Sequence, residues 1–245
     1  MSDLSSLGSN LTAAVFGASG GIGATLAQGL AEDPSVARVL AFARDTKGVP
    51  EHEKIEPGAF DLKNEETIAA AASRADRLDV VIVASGILHT PDFGPEKTWR
   101  HLDPSAMAET LAINTVGPAI IAKHFLPKLP KASPSVFAAI SARVGSISDN
   151  RLGGWYSYRA SKSALNMVLK CAAIELARTK PKAICIGLHP GTVDSGLSKP
   201  FQGHVPDGKL FTAEQSADYL LKVIGGRTSG DSGKVFDWAG EEVPA

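Results

Sequence analysis

A short apolar run that breaks into a glycine cluster and resumes as a helix constrains this chain more than any other feature. Leu11-Thr12-Ala13-Ala14-Val15-Phe16 reads as a buried strand, Gly17-Ala18-Ser19-Gly20-Gly21-Ile22-Gly23 as a tight turn, and Ala24 to Ala31 as the helix that follows. A dinucleotide site needs these three parts in this order. Gly17 lets the chain turn sharply, Gly21 lets backbone N–H groups approach a pyrophosphate, and Gly23 lets the helix pack closely on the strand. The anion then sits at the positive end of the helix dipole. Glycine clusters also occur in plain turns, and the spacing is Gly-x3-Gly-x-Gly rather than Gly-x-Gly-x2-Gly; the place directly after the first strand favours binding. The nucleotide contacts expected here are Gly17, Ser19, Gly20, Gly21, Ile22 and Gly23.

Strand and helix patterns keep alternating after this unit. Val36 to Ala43 is a second strand, a short third ends near Phe60-Asp61, and Asn64 to Arg74 is an Ala-rich helix. Asp79 to Ala84 is a continuous apolar strand, followed by a Pro-, Gly- and His-rich excursion from Ile87 to Asp103. Asp103-Pro104 caps one long helix towards Phe125. Ser135 to Ser141 and Lys182 to Leu188 are strands flanking a helix from Tyr156 to Thr179, and Pro190 to Leu210 is a loop. A helix over Ala213 to Ile224 and a strand over Lys234 to Trp238 complete the pattern. Apolar strands without alternation suit a parallel sheet covered on both faces. The expected architecture is α/β: one domain over residues 1–245, a doubly wound (Rossmann), mostly parallel sheet with helices on both faces.

Ligands in such a sheet bind beyond the carboxyl ends of its strands, and the chemistry-bearing residues fall there. Ser85-Gly86 follows strand four, Ser141 ends strand five, and His189-Pro190-Gly191-Thr192-Val193 follows strand six. Tyr158 and Lys162 occupy the first turns of the next-to-last long helix, four residues apart and so on one face. A lysine cation ~4 Å from a phenol favours the phenolate by up to ~4 kcal/mol at an effective dielectric of 20, which makes the pair a candidate acid/base device. Arg44 ends strand two, where a guanidinium suits the 2′-phosphate of NADP(H). NAD(H), which needs an acid at this point, is less favoured, although Asp45 stands next in line. Asp61 and Leu62 are expected near the adenine.

These motifs resemble the short-chain dehydrogenase/reductase family over essentially the whole chain. Phe16 to Gly23 is similar to its Thr-Gly-x3-Gly-x-Gly turn with Phe in place of Thr; Tyr158-x3-Lys162, Asn114-Thr115-Val116-Gly117 and Pro190-Gly191-Thr192 match its other signatures. The stretches Ser141 to Ile147, Gly154 to Lys162 and Pro190 to Asp194 resemble the C-factor branch, which includes sniffer-type carbonyl reductases. The resemblance implies an NADPH-dependent interconversion of a small carbonyl compound and its alcohol. Tyr158 would exchange a proton with the substrate oxygen, Lys162 would hold the nicotinamide ribose and lower the phenol's pKa, Ser141 would bond the substrate oxygen, and Asn114 would anchor a water on the way to Lys162. Ser85, Gly86, Pro190, Gly191, Thr192 and Val193 would line the cofactor. Two departures stand out. The serine that the family often places second after strand five is Ala142, leaving Ser141 one position early and Ser146 as the competing choice; and its Asn-Asn-Ala-Gly is Val83-Ala84-Ser85-Gly86.

A net charge of −1 without runs of like charge argues against nucleic acid, no apolar stretch reaches the ~18 residues of a membrane span, and Met1 to Asn10 lacks the pattern of a signal peptide. The cytoplasm is the expected compartment. The histidines at 52, 89, 101, 124, 189 and 204 show no metal spacing, and Cys171 and Cys185 read as two reduced core thiols. Pairing of long helices, as in the family, would give a homodimer or homotetramer. A dinucleotide-binding sensor with little turnover is the competing function; such proteins commonly lose the tyrosine or the lysine, and this chain keeps both.

Overall fold

A computed structural model describes residues 3–245, so Met1 and Ser2 of the opening segment, and the side chain of His204, lie outside the description. In chain order the elements are β1 (Leu11–Phe16), α1 (Gly21–Glu32), β2 (Val36–Ala43), β3 (Ile55–Ala59), α2 (Glu65–Ala72), β4 (Val80–Val83), α3 (Pro104–Leu111), α4 (Gly117–Phe125), β5 (Ser135–Ile140), α5 (Tyr156–Thr179), β6 (Ala183–His189), β7 (Thr192–Val193), β8 (Leu210–Phe211), α6 (Ala213–Gly225), β9 (Val235–Asp237) and β10 (Glu242–Val243). Eight of the strands form one sheet in the order β10-β9-β6-β5-β4-β1-β2-β3. All its pairings are parallel except β10 against β9. The order reverses between β1 and β4, and that switch opens the crevice where this architecture takes ligands.

Alternation within the apolar strands feeds two cores. Ala13 and Val15 face α1 and α6 and pack with Leu26, Leu30, Leu220 and Ile224. Ala14 and Phe16 face the other way, against Ile68, Ile121, Phe125 and Leu165. Phe16 stacks on Phe42 at 5.0 Å and meets Phe125 edge-on at 4.8 Å. This aromatic cluster gives a physical reason for Phe in front of the glycine turn.

The structure departs from the sequence expectation in a few places. The long helix from Asp103 is interrupted by a π-helical stretch, Ala112–Val116, which carries Asn114. Such stretches widen a helix by one residue and cluster at functional sites. The Pro190–Leu210 loop holds the small β7–β8 pair, and β10 was not foreseen. Cys185 is buried, but Cys171 is exposed on α5, so only one of the two thiols is a core residue. Among the described residues no helix is long and apolar enough to cross a membrane, and no group of three metal-ligating side chains comes together.

Candidate active site

Two connected cavities lie along the carboxyl edge of the sheet, sharing Ala84, Ser85 and Gly86. The larger, about 670 Å³, runs from the glycine turn over the ends of β2 and β3 and is lined by Gly17, Ser19, Gly20, Arg44, Asp61 and Leu62. The smaller, about 250 Å³, is walled by Tyr158, Lys162, Ser141, Ile22 and the segment from His189 to Val193. Of the expected nucleotide contacts, Gly21 and Gly23 alone line neither cavity, and the turn's own packing accounts for Gly23.

Each glycine is demanded by something different. Gly17 has φ +83°, and a methyl there would meet the Ser85 hydroxyl at 2.9 Å. A methyl on Gly23 would lie 2.1 Å from the Gly17 carbonyl oxygen. Gly21 is not demanded by the protein, since a methyl there would sit 3.8 Å from Ser195 and 3.9 Å from Ala213. The space it leaves and the uncapped N-terminus of α1 fit a pyrophosphate. At the end of β2 the Asp45 carboxylate accepts from Lys47 N at 3.0 Å and caps a turn. That engagement turns the acid towards its own main chain and leaves the exposed Arg44 as the cation of this wall. Asp61 is likewise held by its own turn, accepting from Lys63 N at 2.9 Å.

The first turn of α5 is built by an irregular approach. Gly153, Gly154 and Trp155 all have positive φ, 63°, 64° and 52°. For Trp155 that left-handed conformation is strained, and it sets the indole against Tyr158 at 6.2 Å and Phe201 at 5.2 Å between ring centres. No side chain of α5 itself caps the helix. Glu96, buried in the Ile87–Asp103 excursion, does so from outside: its carboxylate accepts from Ser157 N at 3.1 Å and from the Ser157 hydroxyl, while its carbonyl oxygen accepts from Trp155 N at 2.6 Å. A carboxylate there offsets the helix dipole beside the tyrosine. The excursion thus holds the catalytic-candidate helix in place, which no sequence motif signalled.

Lys162 Nζ lies 5.7 Å from the centre of the Tyr158 ring and donates to the Ile140 carbonyl oxygen at 2.8 Å. Burial raises the Tyr158 phenol to about 12 and lowers Lys162 to about 8. This reverses the expected direction for the tyrosine, because withdrawal from water penalises both charged forms and outweighs their attraction. Asn114 brackets Ile87, accepting from its N–H at 2.8 Å and donating to its carbonyl at 2.8 Å; it also donates to the Ser161 hydroxyl at 3.1 Å. A methyl on Gly86 would touch both Asn114 Oδ1 at 3.3 Å and Lys162 Nζ at 3.5 Å, so the amide and the ammonium flank one glycine.

The serines separate cleanly. Ser141 is 1% exposed, and its hydroxyl donates to Asn166 Oδ1 at 2.6 Å. Ser146 lines neither cavity: its hydroxyl accepts from Asp149 N at 3.1 Å and donates to the Ala245 carbonyl oxygen at 3.4 Å. Ala142, beside Ser141, contributes only apolar surface to the smaller cavity. Sequence reasoning missed Glu96 and Asn166. His89 lines neither cavity; its Nε2 lies 3.2 Å from the Gly196 carbonyl oxygen and its ring meets Phe201 at 5.7 Å. Gly191, with φ +76°, abuts the Phe211 ring, which a methyl would approach to 2.6 Å.

Comparison with known proteins agrees with this geometry. Residues 11–205 match the family model described as short chain dehydrogenase. The C-signal protein of Myxococcus xanthus is 35% identical over 144 residues, covering 58% of this chain and 81% of that one. A 1-hydroxy-2-glutathionyl-2-methyl-3-butene dehydrogenase from Rhodococcus sp. (strain AD45) is 33% identical over 184 residues, 74% of this chain and 75% of its own. The NADPH-bound carbonyl reductase from chicken fatty liver superposes with a TM-score of 0.83 at 27% identity, covering 97% of this chain and 95% of the other. The Sniffer carbonyl reductase of D. melanogaster, at 23% identity, shares the fold with a TM-score of 0.82 over 97% of this chain and all of its own. Match, sheet order and the Tyr158–Lys162 edge agree: this chain belongs to the short-chain dehydrogenase/reductase family of oxidoreductases.

Proposed function

We propose that the protein reduces a small, fairly apolar carbonyl compound to its alcohol with NADPH, as one catalytic domain over residues 1–245 in the cytoplasm. The observation that carries this reading is Tyr158 and Lys162 in the wall of a small cavity that opens into a nucleotide-sized cleft. NADPH, when bound, supplies the hydride; the chain supplies position and a proton. Tyr158, raised to about 12, stays protonated at neutral pH and is thus the form that donates to a carbonyl oxygen. Lys162 holds the nicotinamide ribose, Asn114 fixes the Ile87 turn beside it, and the Pro190–Val193 segment closes the nicotinamide end. Exposed Val116, Met167 and Ile174 on the helical face support a homodimer or homotetramer.

A panel of aldehydes, ketones and quinones, followed by nicotinamide absorbance with NADPH and NADH, tests the function. Turnover of at least one carbonyl with NADPH is expected; tight NADPH binding with no turnover on any would favour the sensor reading. For the cofactor, Arg44→Ala should narrow the NADPH preference by ~1–3 kcal/mol, the range for a charge-assisted hydrogen bond. Equal affinity of the unaltered protein for both cofactors would count against Arg44 and promote Asp45.

A further inference from the structure

The smaller cavity holds several donor-bearing residues, Ser85, Arg143, Thr192 and Ser195 among them, but the serine that the resemblance gave to the carbonyl oxygen is already engaged. The Ser141 hydroxyl proton is committed to Asn166, and Ala142 has none to give. His189 occupies the neighbouring position. It is the last residue of β6, whose pairing with β5 matches Ile140 to Leu188 and continues through Ser141 N donating to the Leu188 carbonyl oxygen at 2.8 Å. Adjacent strands lie about 4.8 Å apart, so His189 stands beside Ser141, and its side chain lines the cavity together with Tyr158.

The His189 imidazole is unpartnered. Nδ1 is sealed from solvent without a hydrogen bond, and Nε2, also without a protein partner among the described residues, is the nitrogen left to the cavity. On the other side β9 pairs Asp237 with His189, but Asp237 Oδ1 accepts from Ala239 N at 2.9 Å and Glu241 N at 3.0 Å. A buried polar group left unpaired costs about 1–3 kcal/mol, and native proteins rarely leave one so. Nδ1 keeps that cost whether or not a ligand binds; the nitrogen a ligand can reach is Nε2, which carries the proton when Nδ1 is the bare acceptor. Burial lowers the imidazole to about 4, against an opposing pull from Asp237, so at neutral pH the ring is uncharged with one N–H donor. Neutral imidazoles act in this way on substrate carbonyls elsewhere.

We propose that His189 donates from Nε2 to the substrate's carbonyl oxygen, beside the Tyr158 hydroxyl, in the role that the family resemblance gave to a serine. The inference rests on the reading that this cavity holds the reacting carbonyl. The proton that completes the alcohol still comes from Tyr158; His189 supplies a hydrogen bond that strengthens as charge develops on the oxygen.

The test takes the best substrate of the carbonyl panel and compares four variants with the unaltered protein, measuring kcat, KM and NADPH affinity by nicotinamide fluorescence. His189→Phe should lower kcat by about 10²–10³, the cost of removing one such donor, with NADPH affinity within about twofold. Adding Ala142→Ser to it should recover at least about tenfold by placing a hydroxyl where the family carries one. His189→Asn, which keeps a donor, should lose less than His189→Phe and covers the case in which the phenylalanine variant does not fold. Ser141→Ala should cost less than His189→Phe. A folded His189→Phe that turns over normally, or a larger loss in Ser141→Ala, overturns the proposal and returns the role to Ser141. If the unaltered protein binds NADPH but reduces no carbonyl, the underlying function fails, and this role with it.

Discussion

Tyr158→Phe should leave the protein folded and able to bind NADPH while turnover falls by roughly 10²–10⁴, the range for positioned proton transfer. The substitution deletes one oxygen with little change in volume, so the ring contacts to Trp155 at 6.2 Å and to Lys162 at 5.7 Å persist. The site then retains its shape but has no acid. Initial rates with NADPH, paired with a fluorescence titration of the cofactor, check it. Unchanged turnover on a substrate that the unaltered protein accepts would remove Tyr158 from the mechanism.

Gly23→Ala should be the most damaging single methyl in the nucleotide cleft. Its new carbon would stand 2.1 Å from the Gly17 carbonyl oxygen and 2.7 Å from the Gly17 carbonyl carbon. Neither can move easily. Gly17 N and Ala18 N both donate to the Phe42 carbonyl oxygen, at 2.9 and 3.0 Å, and Gly17 O accepts from Gly20 N at 3.0 Å. Relief requires α1 to lift from β1, an overpacking that costs about 1–3 kcal/mol or more. At roughly 2–4 °C per kcal/mol for a chain of this size, the melting temperature should fall by several degrees and NADPH binding should weaken severely. Gly21→Ala is the informative contrast: its methyl meets only ordinary contacts within the protein, so stability should hold while NADPH affinity falls. Calorimetry and cofactor titration on the two variants check this, and equal melting temperatures for both would contradict the packing argument.

What the sequence disclosed follows from how local each signal is. The glycine turn, the apolar strands and the Tyr158–Lys162 spacing are short-range patterns set by backbone geometry, so the sheet and the gathering of the candidate residues along one edge of it were legible from residue order alone. The interruption around Asn114 was not, because a π-helical stretch changes hydrogen-bond register without changing the apolar pattern. Glu96 was hidden for a different reason. It caps a helix 61 residues away, and nothing local marks a charged residue in a Pro- and Gly-rich excursion as a partner of Ser157. The expected drop in the Tyr158 pKa failed because spacing reports the nearby charge but not the withdrawal from water, and here burial is the larger effect. The serine assignment rested on distance from the strand end, which cannot say that the Ser141 hydroxyl is committed to Asn166 on α5.

The most direct test of the account follows an isotope. NADPH carrying deuterium at the transferable nicotinamide position is incubated with the protein and the best carbonyl of the panel, and the product alcohol is analysed by mass spectrometry. One deuterium on the carbinol carbon, formed in step with NADPH oxidation and suppressed in Tyr158→Phe, is the result predicted. NADPH bound tightly yet no deuterated alcohol from any carbonyl would contradict the claim that this edge of the sheet performs a reduction.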